Sequence, residues 1–331
     1  EHDVAVFSTV ETEEFDLAGS AVLYLVDPNS QDPQPGSGLF PAGTSRQEDA
    51  ADNRVEVQSI TGQGRYVAPI GRHLLEAGWQ VRRERFSDRI DEKSIVIGQS
   101  ADGLPVRIVV DSLRDSATLR SWRTAFHVQD LVDLLPSDPG RATLTVGLRA
   151  DGFDFNGEWT LSPRASARFR LNPSVVLLGA WGIYHQSPSY RELRGRPEPG
   201  EGVLGALNTD LRSQRSHQLT LGVEYFVPSL RLALRAEAYT RQLDRIISYD
   251  IDNVRVRYSG ATDARGYARG LDLQARGEFV PGMESWLNYS LLVAREEFLP
   301  GVVDDGSQGS SPRPTDQRHT VSLLIRDYIP S

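Results

Sequence analysis

The stretch Gln218-Leu219-Thr220-Leu221-Gly222-Val223-Glu224-Tyr225-Phe226-Val227-Pro228-Ser229-Leu230-Arg231-Leu232-Ala233-Leu234-Arg235-Ala236-Glu237-Ala238 decides the fold. Apolar side chains stand two apart at Leu219, Leu221, Val223, Tyr225 and Val227, with Gln218, Thr220, Gly222 and Glu224 between them. A period of two is the mark of a strand with one apolar and one polar face. At Pro228 the chain reverses, because proline fixes φ and has no N–H to give to a ladder. The alternation then resumes as Leu230, Leu232, Leu234, Ala236 and Ala238 against Arg231, Arg235, Glu237 and Arg241. The segment reads as two antiparallel strands joined by a tight turn.

The same turn recurs at Leu171-Asn172-Pro173-Ser174, Val280-Pro281-Gly282 and Ile329-Pro330-Ser331, and the same alternation at Leu144, Val146, Leu148 and at Leu271, Leu273, Ala275, Phe279. Strands are expected near 54–68, 72–86, 118–132, 141–154, 159–171, 174–184, 213–227, 229–248, 265–279, 283–298 and 317–329, with one or two more before residue 30. Between them, narrow turns alternate with long polar connections near 87–117, 185–212, 249–264 and 299–316. The segment from Asp154 to Trp159 is the short exception. Charges on one face of every strand would be ruinous inside a soluble sandwich and cost little in a wide, water-filled lumen. Short turns on one side and long loops on the other define an all-β, antiparallel transmembrane β-barrel. Trp79, Phe86, Trp122, Phe126, Trp159, Trp181, Tyr184, Tyr225, Phe226, Tyr239, Phe279, Trp286, Tyr289 and Tyr328 lie inside or at the ends of strands, where interfacial girdles place aromatic rings.

Composition fits this reading and excludes others. Hydrophobic residues make up 39% of the 331, ordinary for a soluble chain, but a barrel shows lipid only every second residue. The richest apolar stretch, Val175 to Ile183, is broken by Gly179 and Gly182 and is too short for a spanning helix. With no cysteine there are no disulfides, thiolate metal sites or cysteine nucleophiles. A net charge of -9 argues against nucleic acid as a partner. Glu1-His2-Asp3-Val4 carries no charged-then-apolar leader, so a signal peptide is expected outside this sequence.

From about residue 72 the order of motifs resembles the barrel of TonB-dependent outer-membrane receptors. The resemblance is carried by Arg72-His73-Leu74-Leu75-Glu76-Ala77-Gly78-Trp79, by Trp122 to Asp130, by Leu144-Thr145-Val146-Gly147-Leu148-Arg149 and by Leu161 to Arg168. The most specific match is Trp181-Gly182-Ile183-Tyr184-His185-Gln186-Ser187-Pro188-Ser189-Tyr190-Arg191-Glu192-Leu193, where a strand ends and an extracellular loop begins. It is followed in order by Arg215 to Tyr225, by Ala268 to Leu273 and by Pro314-Thr315-Asp316-Gln317-Arg318-His319. The resemblance implies a barrel of about 22 strands, of which roughly a dozen lie here. No plug domain, TonB-contacting box or terminal aromatic strand is visible in residues 1–331, so the expectation is an internal fragment of the barrel.

Other motifs carry less. Gly200-Glu201-Gly202-Val203-Leu204-Gly205 has dinucleotide spacing but sits in a loop after Pro197 and Pro199 rather than between a strand and a helix. The histidines at 2, 73, 127, 185, 217 and 319 have no partner at metal-ligand spacing, and Asp250-Ile251-Asp252-Asn253 and Asp304-Asp305-Gly306 lack the continuation of a calcium loop. No nucleophile elbow or acid pair stands out, so neither catalytic residues, cofactor nor metal is expected. The candidate ligand-binding residues are Tyr184, Tyr190, Arg191, Glu192, Arg194 and Arg196, ring faces and donors suited to an anionic or polar ligand at the barrel mouth.

The expected function is uptake of a scarce nutrient, by resemblance an iron chelate, cobalamin, oligosaccharide or peptide. The resemblance also implies coupling to TonB through the region preceding the barrel. Outer-membrane lipid and lipopolysaccharide are the expected surroundings. A passive porin or surface-attachment barrel, and a secreted soluble β-rich adhesin or enzyme, remain as alternatives; the last is disfavoured by the absence of a blade-length repeat.

Overall fold

A computed structural model of the chain describes residues 2–24, 44–99, 104–195, 206–252, 255–280, 283–299 and 310–327. Among the described residues thirteen strands form one antiparallel sheet: β1 (His2–Tyr24), β2 (Thr44–Ile70), β3 (His73–Gln99), β4 (Pro105–Asp133), β5 (Ala142–Phe153), β6 (Glu158–Asn172), β7 (Val175–Gln186), β8 (Gln214–Val227), β9 (Leu232–Ile246), β12 (Ala264–Val280), β13 (Met283–Phe298), β14 (Ser311–Pro312) and β15 (His319–Asp327). A separate hairpin, β10 (Tyr249–Asp252) and β11 (Arg255–Tyr258), rises between β9 and β12. From β1 to β9 each strand pairs with the next in sequence, then β9 with β12 and β12 with β13. β14 and β15 both pair with β13.

The register lines up the two faces. One row across the sheet reads Leu144, Ala167, Gly179, Leu221, Ala238, Leu271 and Leu291. A neighbouring row on the opposite face reads Glu224, Arg235, Gln274, Asn288 and Ser322. The second face is wet and ion-paired: Arg123 Nε holds Glu84 at 2.9 Å, Arg149 holds Asp151 at 2.7 Å, and Arg235 reaches Glu237 at 2.7 Å. The first face exposes Trp79, Trp122, Phe126, Trp159, Trp181 and Leu221. It is the outer, lipid-type face, and the ion-paired one is the inner face.

The turns explain the order. Between β2 and β3 the two-residue reversal puts Gly71 at φ 60, with open space around it. After β8 the expected proline turn is a short 3₁₀ segment, Pro228–Leu230, closed by Arg231 at φ 47. At Asn172 the side-chain Oδ1 accepts from the Ser174 and Val175 amides, both at 2.9 Å, so an Asx-type turn does the reversing there. The proline turns at 281–282 and 329–331 lie outside the described residues.

The structure departs from the expectation in several places: the connection expected at 249–264 contains the β10–β11 hairpin, and β2, expected from about 54, begins at Thr44. Of the segment 87–117, expected as a polar loop, residues 87–99 and 105–117 continue β3 and β4 to 27 and 29 residues, and 100–103 lie outside the described residues. The strand expected from about 229 begins only at Leu232, the first residue of β9, because the turn runs through Arg231. Among the aromatic residues, Phe86, Tyr184, Phe226, Tyr239 and Trp286 face inward, Phe86 stacked on Tyr190 and Trp286 beneath the Arg276 guanidinium at 5.0 Å. The girdle is therefore narrower than the sequence suggests.

Candidate functional site at the inner mouth

The β7–β8 connection leaves the end of the sheet where the long connections gather and folds onto the inner face. It does so through one tight turn. The Ser189 amide donates to Glu192 Oε2 at 2.7 Å and the Glu192 amide donates to Ser189 Oγ at 3.4 Å, a reciprocal capping arrangement written in the sequence as Ser-x-x-Glu. The turn aims Tyr190 and Leu193 at the sheet. Leu193 has no exposed surface, and with Tyr190, Leu211, Leu119, Phe153 and Ile247 it forms the main apolar core of the described residues. Tyr190 stacks on Phe86 with ring centroids 5.4 Å apart and planes within 2°.

Arg194 sits beside this core and is almost fully buried. Its Nη1 donates to both carboxylate oxygens of Asp88, at 2.8 and 2.6 Å, and its Nη2 donates to Asp115. Asp88 also accepts from the Ala117 amide at 2.8 Å, so the bridge ties the connection to β3 and β4 together. Two charges taken out of water hold only when paired and hydrogen-bonded, as they are here. Arg123 Nη2 adds a bond to the Pro188 carbonyl at 2.9 Å while its guanidinium lies 4.1 Å from the Phe153 ring centroid.

Other connections lock onto the lobe. Asn156 donates to the Leu211 carbonyl at 2.7 Å, and the Ser213 amide donates to Glu158 at 2.8 Å. Asn208 donates to the Gly260 carbonyl at 2.8 Å. Gly260 has φ 70, and a Cβ built there would stand 2.6 Å from Gly195 Cα, so only glycine lets the two backbones approach this closely. Arg257 of β11 reaches Glu92 of β3 at 3.8 Å, which shows how far the sheet curls to bring its third strand against the β10–β11 hairpin.

Burial and charge set the acid–base state of the lobe. Burial, reinforced by the Asp88 carboxylate, pushes the Tyr190 phenol above its ordinary value and keeps it neutral. Burial with the nearby Glu192 carboxylate moves Tyr258 the same way.

The six sequence candidates thus divide. Tyr190, Glu192 and Arg194 are buried in the lobe, with Glu192 also accepting from Gln214 Nε2 at 2.9 Å. Tyr184 is exposed; a Cβ on its inner-face neighbour Gly182 would meet its ring, which places that ring on the inner face near the end of β7. Arg191 is exposed on the lobe, and Arg196 lies outside the described residues. Asp88 and Asp115 were not among the candidates. Lying 106 and 79 residues from Arg194 in sequence, they carried no local signal. Among the described residues no group of three His, Asp or Glu converges as a metal-ligand set.

An antiparallel wall with an apolar outer face, an ion-paired inner face and a lobe folded into its mouth is the architecture of an outer-membrane receptor barrel. The sequence matches the TonB dependent receptor-like β-barrel family over residues 13–329, and the chain belongs to that family. No curated protein sequence matches. Solved structures share the fold at low identity. The ferric-catecholate import receptor Fiu from Escherichia coli K12 superposes with a TM-score of 0.60 at 13% identity, covering 97% of this chain and 48% of its own. FpvAI, in complex with pyocin S2, gives 0.57 at 12%, with 98% and 42% covered. The outer-membrane transporter YddB from Escherichia coli gives 0.50 at 10%, with 90% and 43% covered. The chain spans less than half the length of each of these three. Family members are outer-membrane proteins of Gram-negative bacteria, and the family is defined by receptors rather than by an enzymatic reaction.

Proposed function

We propose that the chain forms wall and mouth of an outer-membrane receptor that takes up a scarce nutrient, with energy coupled through TonB. The supporting observation is the lobe, residues 187–195 and 206–213 of the β7–β8 connection, which lies over the inner face, anchored by the bridge from Arg194 to Asp88 and Asp115. A passive pore needs an open lumen; a lobe locked onto the inner face fits a gated route. Tyr184 and Arg191 offer a ring face and a guanidinium to an anionic or polar ligand, a role for which Tyr190, Glu192 and Arg194 supply the frame. Iron chelates, cobalamin, oligosaccharides and peptides are the candidate classes.

The test is uptake of each labelled class by cells carrying or lacking the gene, in backgrounds with and without TonB. Loss of one class in both deletions supports the reading. Uptake that depends on the gene and persists without TonB would make the protein a passive channel.

A further inference from the structure

The outer face changes chemistry where its apolar band ends. Along β12 the outward side chains run Ala275, Leu273, Leu271 and then Arg269, Tyr267, Arg265; along β13 they run Leu287, Tyr289, Leu291, Val293 and then Arg295, Glu297. Strands β8 and β9 change at the same level, from Leu219 to His217 and from Ala238 to Thr240. Four adjacent strands thus leave the apolar band together, on the side where the long connections lie.

There a cavity of about 300 Å³ opens between β9, β12 and β13. It contains acids, but each is already held: Glu297 by Arg265 at 3.2 Å, Asp244 by Arg215 at 3.0 Å, and Glu296 by Arg313 at 3.4 Å. Arg269 and Arg295 have no carboxylate partner among the described residues. Arg269 is exposed and its guanidinium lies 4.8 Å from the Tyr267 ring centroid. Arg295 pairs in register with Tyr267, and its Nη1 donates to the Ser310 carbonyl at 3.1 Å, which fixes the side chain through a neutral acceptor with no carboxylate partner among the described residues.

We propose that this cavity holds the phosphorylated headgroup of an outer-leaflet lipid. Its level supports a lipid rather than a soluble anion: acyl chains on the apolar band of β8, β9, β12 and β13 would set a headgroup at the height of the two arginines. Two guanidiniums flanking a phenol suit a phosphate, which accepts several charge-assisted hydrogen bonds at once. The inference rests on the outer-membrane reading above.

The test uses the full chain folded in micelles, with bound lipid counted by native mass spectrometry. Bisphosphorylated lipid A should be retained by the unaltered chain and about thirtyfold less by R269Q/R295Q. The same lipid with its phosphates removed should be retained by neither, and R241Q, on the inner face, should change nothing. Arg269 is exposed, so R269Q alone, with a partial loss, serves if the double variant does not fold. Equal retention by the variants overturns the site. Competition by inorganic phosphate at concentrations that match the lipid would replace the lipid with a soluble anion. Failure of the chain to enter micelles would sink the outer-membrane reading and this site together, whereas entry without phosphate discrimination sinks the site alone.

Discussion

The lower and upper halves of β3 and β4 obey opposite rules. In the lower half the outward positions are Trp79 and Val81 on β3, with Phe126 and Trp122 on β4, while Gln80, Arg82, Arg123 and Ser121 point inward. From Phe86 and Leu119 the pattern inverts. The outward positions become Arg85, Ser87, Arg89 and Arg120, Thr118, Ser116, and the apolar Phe86, Ala117 and Leu119 turn in beneath the lobe. The backbone ladder runs through the change without a break until the shift at Ser94. The environment changes instead. Within a bilayer the outer face meets lipid and the inner face water; above it the outer face meets water and the inner face meets a packed lobe. A spanning strand needs about ten residues, so strands of 27 and 29 rise well above the membrane.

The sharpest way to break this comparison is topological. A tag inserted between Pro228 and Ser229 should be unreachable on intact cells, while one near Gly202 or Gly306 should be labelled. Labelling at the first and silence at the other two would invert the wall and place the lobe on the periplasmic side.

Next in size is the bridge in the upper half. Arg194→Ala leaves the buried Asp88 carboxylate without its cation and takes one partner from the half-buried Asp115, and should cost about 3–5 kcal/mol of lobe stability. Proteolysis in the 187–213 connection should accelerate while the lower ladder keeps its hydrogen-exchange protection. Unchanged cleavage would show that the lobe is held without the bridge.

In the lower half, Leu221→Arg puts a charge in the middle of the lipid face and should destabilise by about 2–4 kcal/mol. Leu232→Arg, at the strand end, should cost only about 0–1 kcal/mol by the same depth dependence. Thr220→Arg, facing inward, should be mild as well. Reversible unfolding in micelles measures all three, and equal effects would refute the assignment of faces.

The smallest effect is alkaline. Because the Tyr190 phenol is raised in the folded lobe, its contribution is complete below its ordinary value of about 10 and falls as pH rises through the folded value. Protease sensitivity of the lobe should therefore increase between pH 10 and the folded value, on the scale of about 1.4 kcal/mol per pH unit at most. Tyr190→Phe should flatten that rise. The same rise in both proteins would assign it to other groups.

The sequence by itself determined the membrane wall. Alternation at 219–238 or 271–279 follows from a side-chain period of two, and Pro173 and Pro228 end strands for steric reasons local to the turn. Nearly all strands from β4 to β13 begin or end within a few residues of where periodicity put them. β10 and β11 are the exception, four-residue strands inside a connection, too short to show a period. The Ser189-x-x-Glu192 turn is a local exchange of hydrogen bonds whose signal lies in the sequence, but it was not among the expectations. Only the tertiary structure decided the upper half. There the alternation inverts, so the apolar signal faded at Phe86 and returned near Thr118, and the segment between looked like a loop. Tertiary packing also decided that Arg194 bridges Asp88 and Asp115, that Trp286 turns inward, and that Arg269 and Arg295 both lie beside Tyr267. Each depends on strands far apart in sequence being brought together by the register and curl of the sheet, for which no local run of residues carries a signal.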